Sequence, residues 1–436
     1  MGIITQISKE MKRVLAESAD RAAQVAGLIQ RQRKVNSRNL GQTLIMGWWQ
    51  EPNISLEGLT QIGKSLGLAI TAQGLDQRFN ETTATYLREV LQAIVQIKIE
   101  NKGQKLPTMG HFTQVYVEDS SIVTFMKEIK AVWQGIGGNG TTSGVKLQTR
   151  VELKAGCLDG PHLSNSRLHD RQAAQVHIEV ETGALHLRDL GYWNLAEWEQ
   201  ANERDFYLLS LMKTSTCFWH DEQSYDCYRW CKNVEGDRFD IPILLGKKAK
   251  IPARLLGKRV SDEVAAQRRR KLKRASQKRG QTVSYERLLL CAWTLVVTNA
   301  AQEMVTTKDA FVWLGVRWQI ELLFKLWKSV GCIDKSRSAK PWRQLCEFYA
   351  KLSAMTLQHW LLQTAVWQFP DRSLTKASQT IRLHVIRLAT ALGSQTKLSR
   401  IIKEICQVLA TGCRINRSRK QPRTWQKLEL LQAQPA

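Results

Sequence analysis

GALHLRDLGYWNL, residues 183–195, is the stretch on which the fold turns. After Gly183, Ala184, Leu185, His186, Leu187, Arg188 and Asp189 read as a strand with an acidic end. Gln114 to Glu118 (QVYVE) has the same texture and ends at Asp119, and Phe206 to Met212 is a further apolar strand. Val151 to Ala155 and Val176 to Val180 are additional strand candidates. Strands that end in carboxylates, with helical stretches between them, indicate an α/β core whose functional side chains converge on a crevice at the strand ends.

Helical periodicity flanks this core. In Ser55 to Asn80, Leu56, Leu59, Ile62 and Leu66 recur at helical spacing, Gly67 breaks the pattern, and Thr71 caps a second helix carrying Gly74, Leu75, Arg78 and Phe79. Two helices joined by a Gly-containing turn read as helix-turn-helix, with 71–80 facing the groove and Thr71 and Arg78 as DNA contacts. A plain helical hairpin is the alternative. From 213 to 285 the helical pattern disappears, aromatic and polar residues alternate, and Asp240 to Leu245 (DIPILL) reads as strand. Beyond 335 it returns in Gln344 to Leu362, Leu374 to Leu392 and Leu398 to Leu409. The expected organisation is a helical DNA-binding region at 1–105, the first part of the core at 106–212, a β-rich insertion with a basic segment at 213–285, the second part of the core at 286–334, and a helical region for assembly or DNA contact at 335–436.

The 436 residues carry 64 Lys and Arg against 39 Asp and Glu, a net charge of +25, so the chain attracts polyanions. An apolar content of 43%, with 15 Trp, excludes wholesale disorder. The clearest apolar run, Leu288 to Val297, falls well short of the roughly 20 residues of a membrane-spanning helix, so no membrane partner is expected. Lys9, Glu10, Lys12 and Arg13 interrupt any secretory signal near the N-terminus, and nine scattered Cys suit a reducing compartment, so a cytoplasmic, nucleoid-associated location is expected.

The positive charge is concentrated. Arg268, Arg269, Arg270, Lys271, Lys273 and Arg274 lie in QRRRKLKRASQKRG, residues 267–280, after a first cluster at Lys247, Lys248, Lys250, Arg254, Lys258 and Arg259. Phosphates are the natural counterion for such density, and a solvated helix face is the alternative. A third cluster, from Arg414 to Lys427, closes the chain.

A long helix is expected over Val312 to Ser329 (VWLGVRWQIELLFKLWKS), placing Arg317, Glu321 and Lys328, four and then seven positions apart, on one face. A carboxylate on so apolar a helix either forms an internal ion pair with Arg317 or serves as a metal ligand beside cations for a nucleic-acid backbone. Asp119 and Asp189 are acidic partners for the second role, and three carboxylates suffice to bind two Mg²⁺ ions for in-line phosphoryl transfer.

These segments resemble a DDE transposase of the insertion-sequence 4 type. That family's hallmark is tyrosine, two residues, arginine, three residues, glutamate, six residues and lysine; Arg317, Glu321 and Lys328 match it, and Leu314 stands at the tyrosine position. Asp119 in VEDSS and Asp189 in RDLGYWNL resemble the first and second aspartates, and the 132-residue interval from Asp189 to Glu321 suits the family's β-rich insertion. RLLGKR, RRRKLKR and VVTNA also resemble family segments, and the resemblance runs from about residue 20 to at least 410. It implies a ribonuclease-H-like mixed-sheet α/β core flanked by N- and C-terminal helical domains. It implies that Asp119, Asp189 and Glu321 hold two Mg²⁺ ions, with Mn²⁺ as substitute, to cut DNA at terminal inverted repeats. The freed 3′-hydroxyl would then join target DNA, with a hairpin intermediate and a homodimer pairing two ends. Arg317 and Lys328 would hold backbone phosphates, and Trp193 would stack on a base drawn out of the duplex, with an ordinary core Trp as the alternative. A DNA-binding derivative that has lost its chemistry and acts as a regulator is the competing reading, which Leu314 favours and the intact carboxylates oppose. A metal nuclease indifferent to element ends is a third. Cys217, His220, Cys227 and Cys231 either bind zinc or are ordinary thiols beside a histidine, and His111 and His186 read as packing residues.

Overall fold

The computed structural model describes residues 2–28, 35–99, 109–137, 141–168, 181–367, 369, 371–416, 418 and 424–432. The strand candidate Val176 to Val180 lies outside them, as does part of the last basic cluster. Helices α1 (Ile3–Arg13), α2 (Ala19–Val25), α3 (Ser37–Gln50), α4 (Leu56–Ser65), α5 (Ala72–Asp76) and α6 (Glu81–Val95) come first. Strands β1 (Val115–Thr124), β2 (Gly144–Glu152), β3 (Leu158–Asn165) and β4 (Leu185–Arg188) follow, then α7 (Leu195–Glu203) and β5 (Tyr207–Leu211). The middle of the chain forms β6 (Phe218–His220), β7 (Gln223–Tyr225), α8 (Cys227–Asn233), β8 (Arg238–Leu245), β9 (Ile251–Arg259), α9 (Asp262–Gln277), α10 (Tyr285–Leu290) and β10 (Trp293–Thr298). Helices α11 (Thr307–Val316), α12 (Trp318–Ser329), α13 (Pro341–Ala365), α14 (Leu374–Arg382), α15 (Val385–Ala391) and α16 (Gln395–Thr411) complete the part that matters here.

The chain divides into two compact units. The first takes Met1–Gln104, Ser120–His169 and Gln319–Trp425; the second takes Lys105–Asp119, Asp170–Trp318 and Gln426–Ala436.

The second unit is built on a mixed sheet in the order β1-β4-β5-β10-β9-β8-β6-β7, with the first half of β1 at one end. β1, β4 and β5 are parallel, whereas β10 runs antiparallel to β5 and β9, and β8 antiparallel to β9. Trp193, Trp198, Phe206, Phe218, Leu255 and Trp293 pack into its apolar core. Strands of the 213–285 stretch therefore extend the same sheet that holds β4.

In the first unit β2 pairs antiparallel with β3. Around it the helices close on α13, which is buried along nearly its whole length and packs against α3 and α6 from the beginning of the chain. A helix buried all round must satisfy its own polar groups. Accordingly, Gln358 accepts from Trp49 Nε1 and donates to Ser378 Oγ, and Tyr349 OH accepts from Trp133 Nε1 at 2.8 Å. Buried Lys351 donates to Glu347 and to the Lys335 carbonyl. Its burial lowers its pKa, which Glu347 opposes.

Several expected boundaries are corrected. The QVYVE strand does not end at Asp119 but runs on through Ser120–Thr124, where Ile122, Val123 and Thr124 are β-branched and extend readily, so Asp119 sits mid-strand. Val151 to Ala155 overlaps β2 only at its end; β2 is buried along its whole length, polar Lys146, Gln148, Arg150 and Glu152 included, which hides the alternation. The apolar block from Leu288 splits into the end of α10 and the start of β10, an ambiguity inherent to short apolar runs. Leu374 to Leu392 breaks at Leu383 and His384, where Leu383 is exposed. The second helix of the helix-turn-helix candidate ends at Asp76: Thr71 caps it, its hydroxyl accepting from Gly74 N, but Arg78 and Phe79 lie beyond it, and Asn80 caps α6. The helix expected over Val312 to Ser329 starts earlier, at the Thr306–Asp309 capping box, and is interrupted at Arg317.

His359 of α13 gives this fold a pH signature. Its Nε2 meets the Gly156 carbonyl at 2.8 Å, and complete burial lowers its pKa from 6.5 to about 4 against that hydrogen bond. Because the unfolded imidazole takes a proton that the folded one refuses, this contribution is whole above pH 6.5 and is lost as pH falls toward 4. Denaturant unfolding at pH 7 and pH 5 is expected to show a loss of about 2 kcal/mol that His359→Gln largely abolishes; equal losses in both proteins would place the effect elsewhere.

Candidate active site

In the second unit Val115, Tyr116 and Val117 of β1 lie opposite Leu185, His186 and Leu187 of β4. Continuing this register by two residues sets Asp119 level with Asp189. Asp189 follows β4 directly with an extended backbone (φ −84°, ψ 161°), so the alternation of side chains is kept. Adjacent strands lie about 4.8 Å apart, and carboxyl groups on one face at one level can share a cation. Asp119 and Asp189 are both half-buried, and Arg317 NH2 stands 3.9 Å from Asp189 Oδ1. At that distance the guanidinium supplies charge to the carboxylate rather than a full hydrogen bond.

Glu321 and Lys328 lie in the first unit, on α12. Seven positions apart, they share a helix face, while Ile320, Leu323, Phe324, Leu326 and Trp327 are buried. Lys328 Nζ donates to the Ile122 carbonyl at 2.9 Å, which fixes α12 to the part of β1 three residues beyond Asp119.

Carboxylate oxygens are the ligands a hard divalent ion takes, and Asp119 and Asp189 are donors of that class. Mg²⁺ and Mn²⁺ are equally served by these donors. Among the described residues, no group of three or more His, Cys, Asp or Glu side chains is gathered closely enough to hold a metal. That includes the zinc candidate. Burial pushes the thiols of Cys227 and Cys231 up to about 12, and His220 is engaged through Nδ1 with the Pro242 carbonyl.

The basic segment forms α9 as expected, but its cations do two different things. Arg268 donates to the Trp293 carbonyl and to Thr294 Oγ1, and Arg269 donates to the Leu288 carbonyl, so both guanidinium groups fasten the helix to β10 and α10. Arg270, Lys271, Lys273 and Arg274 are exposed. In the first cluster Arg254 is similarly engaged, with Asp240 and the Ala300 and Val305 carbonyls.

Trp193 is buried, with its ring 5.5 Å from that of Trp198, which corrects the expectation of an open stacking surface. It also lines a cavity of about 470 Å³ with Leu195, Lys213, Ser215, Thr216 and Lys247. His111 is exposed and His186 fully buried. Thr71 is exposed and Arg78 half-buried.

Sequence reasoning missed a buried charged group directly beside the two aspartates. Arg188 NH2 lies 3.1 Å from Glu118 Oε2, Arg188 NH1 donates to Glu197, and His186 Nδ1 lies 3.2 Å from Glu118 Oε1. The available signal was Glu118 and Arg188 themselves, charged residues in strands otherwise filled with Val and Leu.

The profile of the family described as Transposase DDE domain matches residues 110–357. The chain is 24% identical over 435 residues to the transposase for insertion sequence element IS231F of Bacillus thuringiensis subsp. israelensis, covering 92% of this chain and 90% of the relative. The transposase for IS231E of Bacillus thuringiensis subsp. finitimus is also 24% identical, covering 87% and 86%. That for IS1151 of Clostridium perfringens is 24% identical over 67% and 66%. With more than half of its length matched by the family profile, this chain belongs to the DDE transposase family.

Proposed function

We propose that this chain is a DNA transposase acting at the ends of an insertion sequence, with Asp119, Asp189 and Glu321 as the catalytic carboxylates. The observation that carries the reading is the parallel pairing of Val115, Tyr116 and Val117 with Leu185, His186 and Leu187, which, continued by two residues, would bring Asp119 level with Asp189. The parallel β1, β4 and β5 and the antiparallel β2–β3 pair also support a ribonuclease-H-like core.

The three carboxylates would hold two divalent ions, Mg²⁺ with Mn²⁺ as substitute, which when bound supply Lewis acidity at the scissile phosphate and activate the attacking oxygen. Arg317, 3.9 Å from Asp189, would add positive charge for a backbone phosphate. Lys328 keeps the Glu321 helix against β1. In the first step a water oxygen bonds to phosphorus and the bond to the 3′ oxygen breaks, leaving a 5′-phosphate and a free 3′-hydroxyl. In the second, that hydroxyl attacks a target phosphodiester and the target's own 3′ oxygen departs with the proton. One phosphodiester replaces another, so joining needs no nucleotide cofactor.

If the second strand is opened through a hairpin, a base must leave the stack. The cavity beside Trp193 supports that reading: its lining combines Trp193 and Leu195 with the cations Lys213 and Lys247. A homodimer that pairs two ends completes the proposal. Leu314 supplies no hydroxyl at the family's tyrosine position, but the retention of all three carboxylates favours the enzyme over a binding-only derivative.

Two measurements test this reading. On a labelled duplex carrying the element's own terminal repeat, with Mg²⁺, Asp189→Asn and Glu321→Gln are each expected to lower end-specific nicking by about 10²–10³-fold or more while end binding persists. Undiminished nicking in either variant rejects the carboxylate assignment, and tight end binding without nicking by the native protein selects the binding-only reading. Replacing Arg270, Lys271, Lys273 and Arg274 by Ala is expected to flatten the plot of log affinity against log salt by about 0.9 per lost phosphate contact. Arg268→Ala should instead lower the melting temperature and leave the salt slope unchanged, because its guanidinium is bound to β10.

A further inference from the structure

We infer that the buried group Glu118, Arg188, Glu197 and His186 is a positioning clamp that sets the spacing of Asp119 and Asp189. The inference rests on the carboxylate reading above and goes beyond it by assigning residues that touch neither substrate nor metal.

Glu118 and Arg188 directly follow the paired Val117 and Leu187 and directly precede Asp119 and Asp189. Their side chains point to the face opposite the two aspartates, because successive strand residues alternate. Glu118 is 2% exposed and Arg188 6%, and they meet at 3.1 Å. The guanidinium also reaches Glu197 on α7, and the far side of Glu118 is held by the fully buried His186 ring. That ring is packed in turn between Tyr116 and Phe206, with centroids 5.2 and 5.6 Å away.

Taking a carboxylate and a guanidinium out of water costs several kcal/mol per ion, so apolar residues of similar volume would hold these strands together at least as well. What an apolar pair lacks is direction. The ion pair has one favourable geometry, and departure from it leaves a charge buried without its partner. Val115, Tyr116 and Val117 of β1 pair with Leu185, His186 and Leu187 of β4, and the Glu118–Arg188 contact links the two strands one residue further on, directly before the aspartates. Glu197 then ties that link to α7, which begins six residues after Asp189. Loosening the pair allows the two acids to separate, which weakens any ion they share.

The test uses the full-length protein with Arg188→Met, Arg188→Lys and Glu197→Gln, with Asp119→Asn as reference. Mn²⁺ binding is read by electron paramagnetic resonance of the free ion, folding by circular dichroism and melting temperature, and end binding by mobility shift without metal. The expected result for Arg188→Met is a dissociation constant for Mn²⁺ raised tenfold or more, with end binding within twofold of native. Arg188→Lys, which keeps the charge but not the two-pronged geometry, should fall between them, and Mn²⁺ should restore more nicking than Mg²⁺ does. A folded Arg188→Met with native Mn²⁺ affinity overturns the clamp. If Arg188→Met does not fold, Glu197→Gln decides: it removes one anchor from outside the strands, and Mn²⁺ affinity within twofold of native overturns the clamp as well. Failure of the underlying reading looks different, because Mn²⁺ binding would then survive Asp119→Asn itself.

Discussion

The parallel register of β1 and β4 is the constraint from which the candidate site follows. Val115, Val117, Leu185 and Leu187 are all fully buried, and a slip of one residue would turn every one of them to the opposite face. Their apolar area therefore fixes which residue stands opposite which. The same slip would also move Glu118 and Arg188 out of opposition and set Asp119 against a neighbour of Asp189. Core packing, the buried charges and the level of the two carboxylates are thus three consequences of one alignment, and none can be changed without the others.

A second alignment governs the first unit. α13 has no solvated face on which to place its charges, so Glu347 and Lys351 answer each other one helical turn apart, while Arg343 reaches Glu347 from the turn before. Arg343 also lies 3.6 Å from Asp76 at the end of α5, whose partner Lys340 opens α13. The last residue of the helix expected to face DNA is therefore held by cations of a helix more than 250 positions later in the chain.

The strands that carry Asp189 and the apolar run before Met212 were legible because each obeys a single periodicity: β4 and β5 fall within one residue of their expected bounds. The basic helix and the Thr71 cap were legible for similarly local reasons. What was not legible depends on surroundings. β2 is buried on both faces, so its Lys, Gln, Arg and Glu disguise it as a surface segment. The interruption at Arg317 involves no proline, and its backbone stays right-handed (φ −48°, ψ −31°), so nothing in the sequence marks it. The pairing of β1 with β4 joins positions 70 apart; Asp189 could be picked out at a strand end, but Asp119 lies mid-strand, and which residue stands opposite which belongs to the sheet.

Charge density gives the sharpest case of this difference between local and non-local information. Six cations in seven residues of α9 look equivalent in the sequence, yet helix geometry spreads successive residues by 100° and cannot point them all outward. Arg268 and Arg269 fall on the inward side, where the carbonyls of Trp293 and Leu288 accept their protons. Lysine has no planar fork with which to bind a carbonyl and a hydroxyl together, and Arg268 does both. The inward pair thus uses charge to hold a helix in place. Because those two are fixed, the outward four are presented on a rigid helix rather than a flexible tail, and a phosphate backbone meeting them would lose less of its affinity to the ordering of the protein.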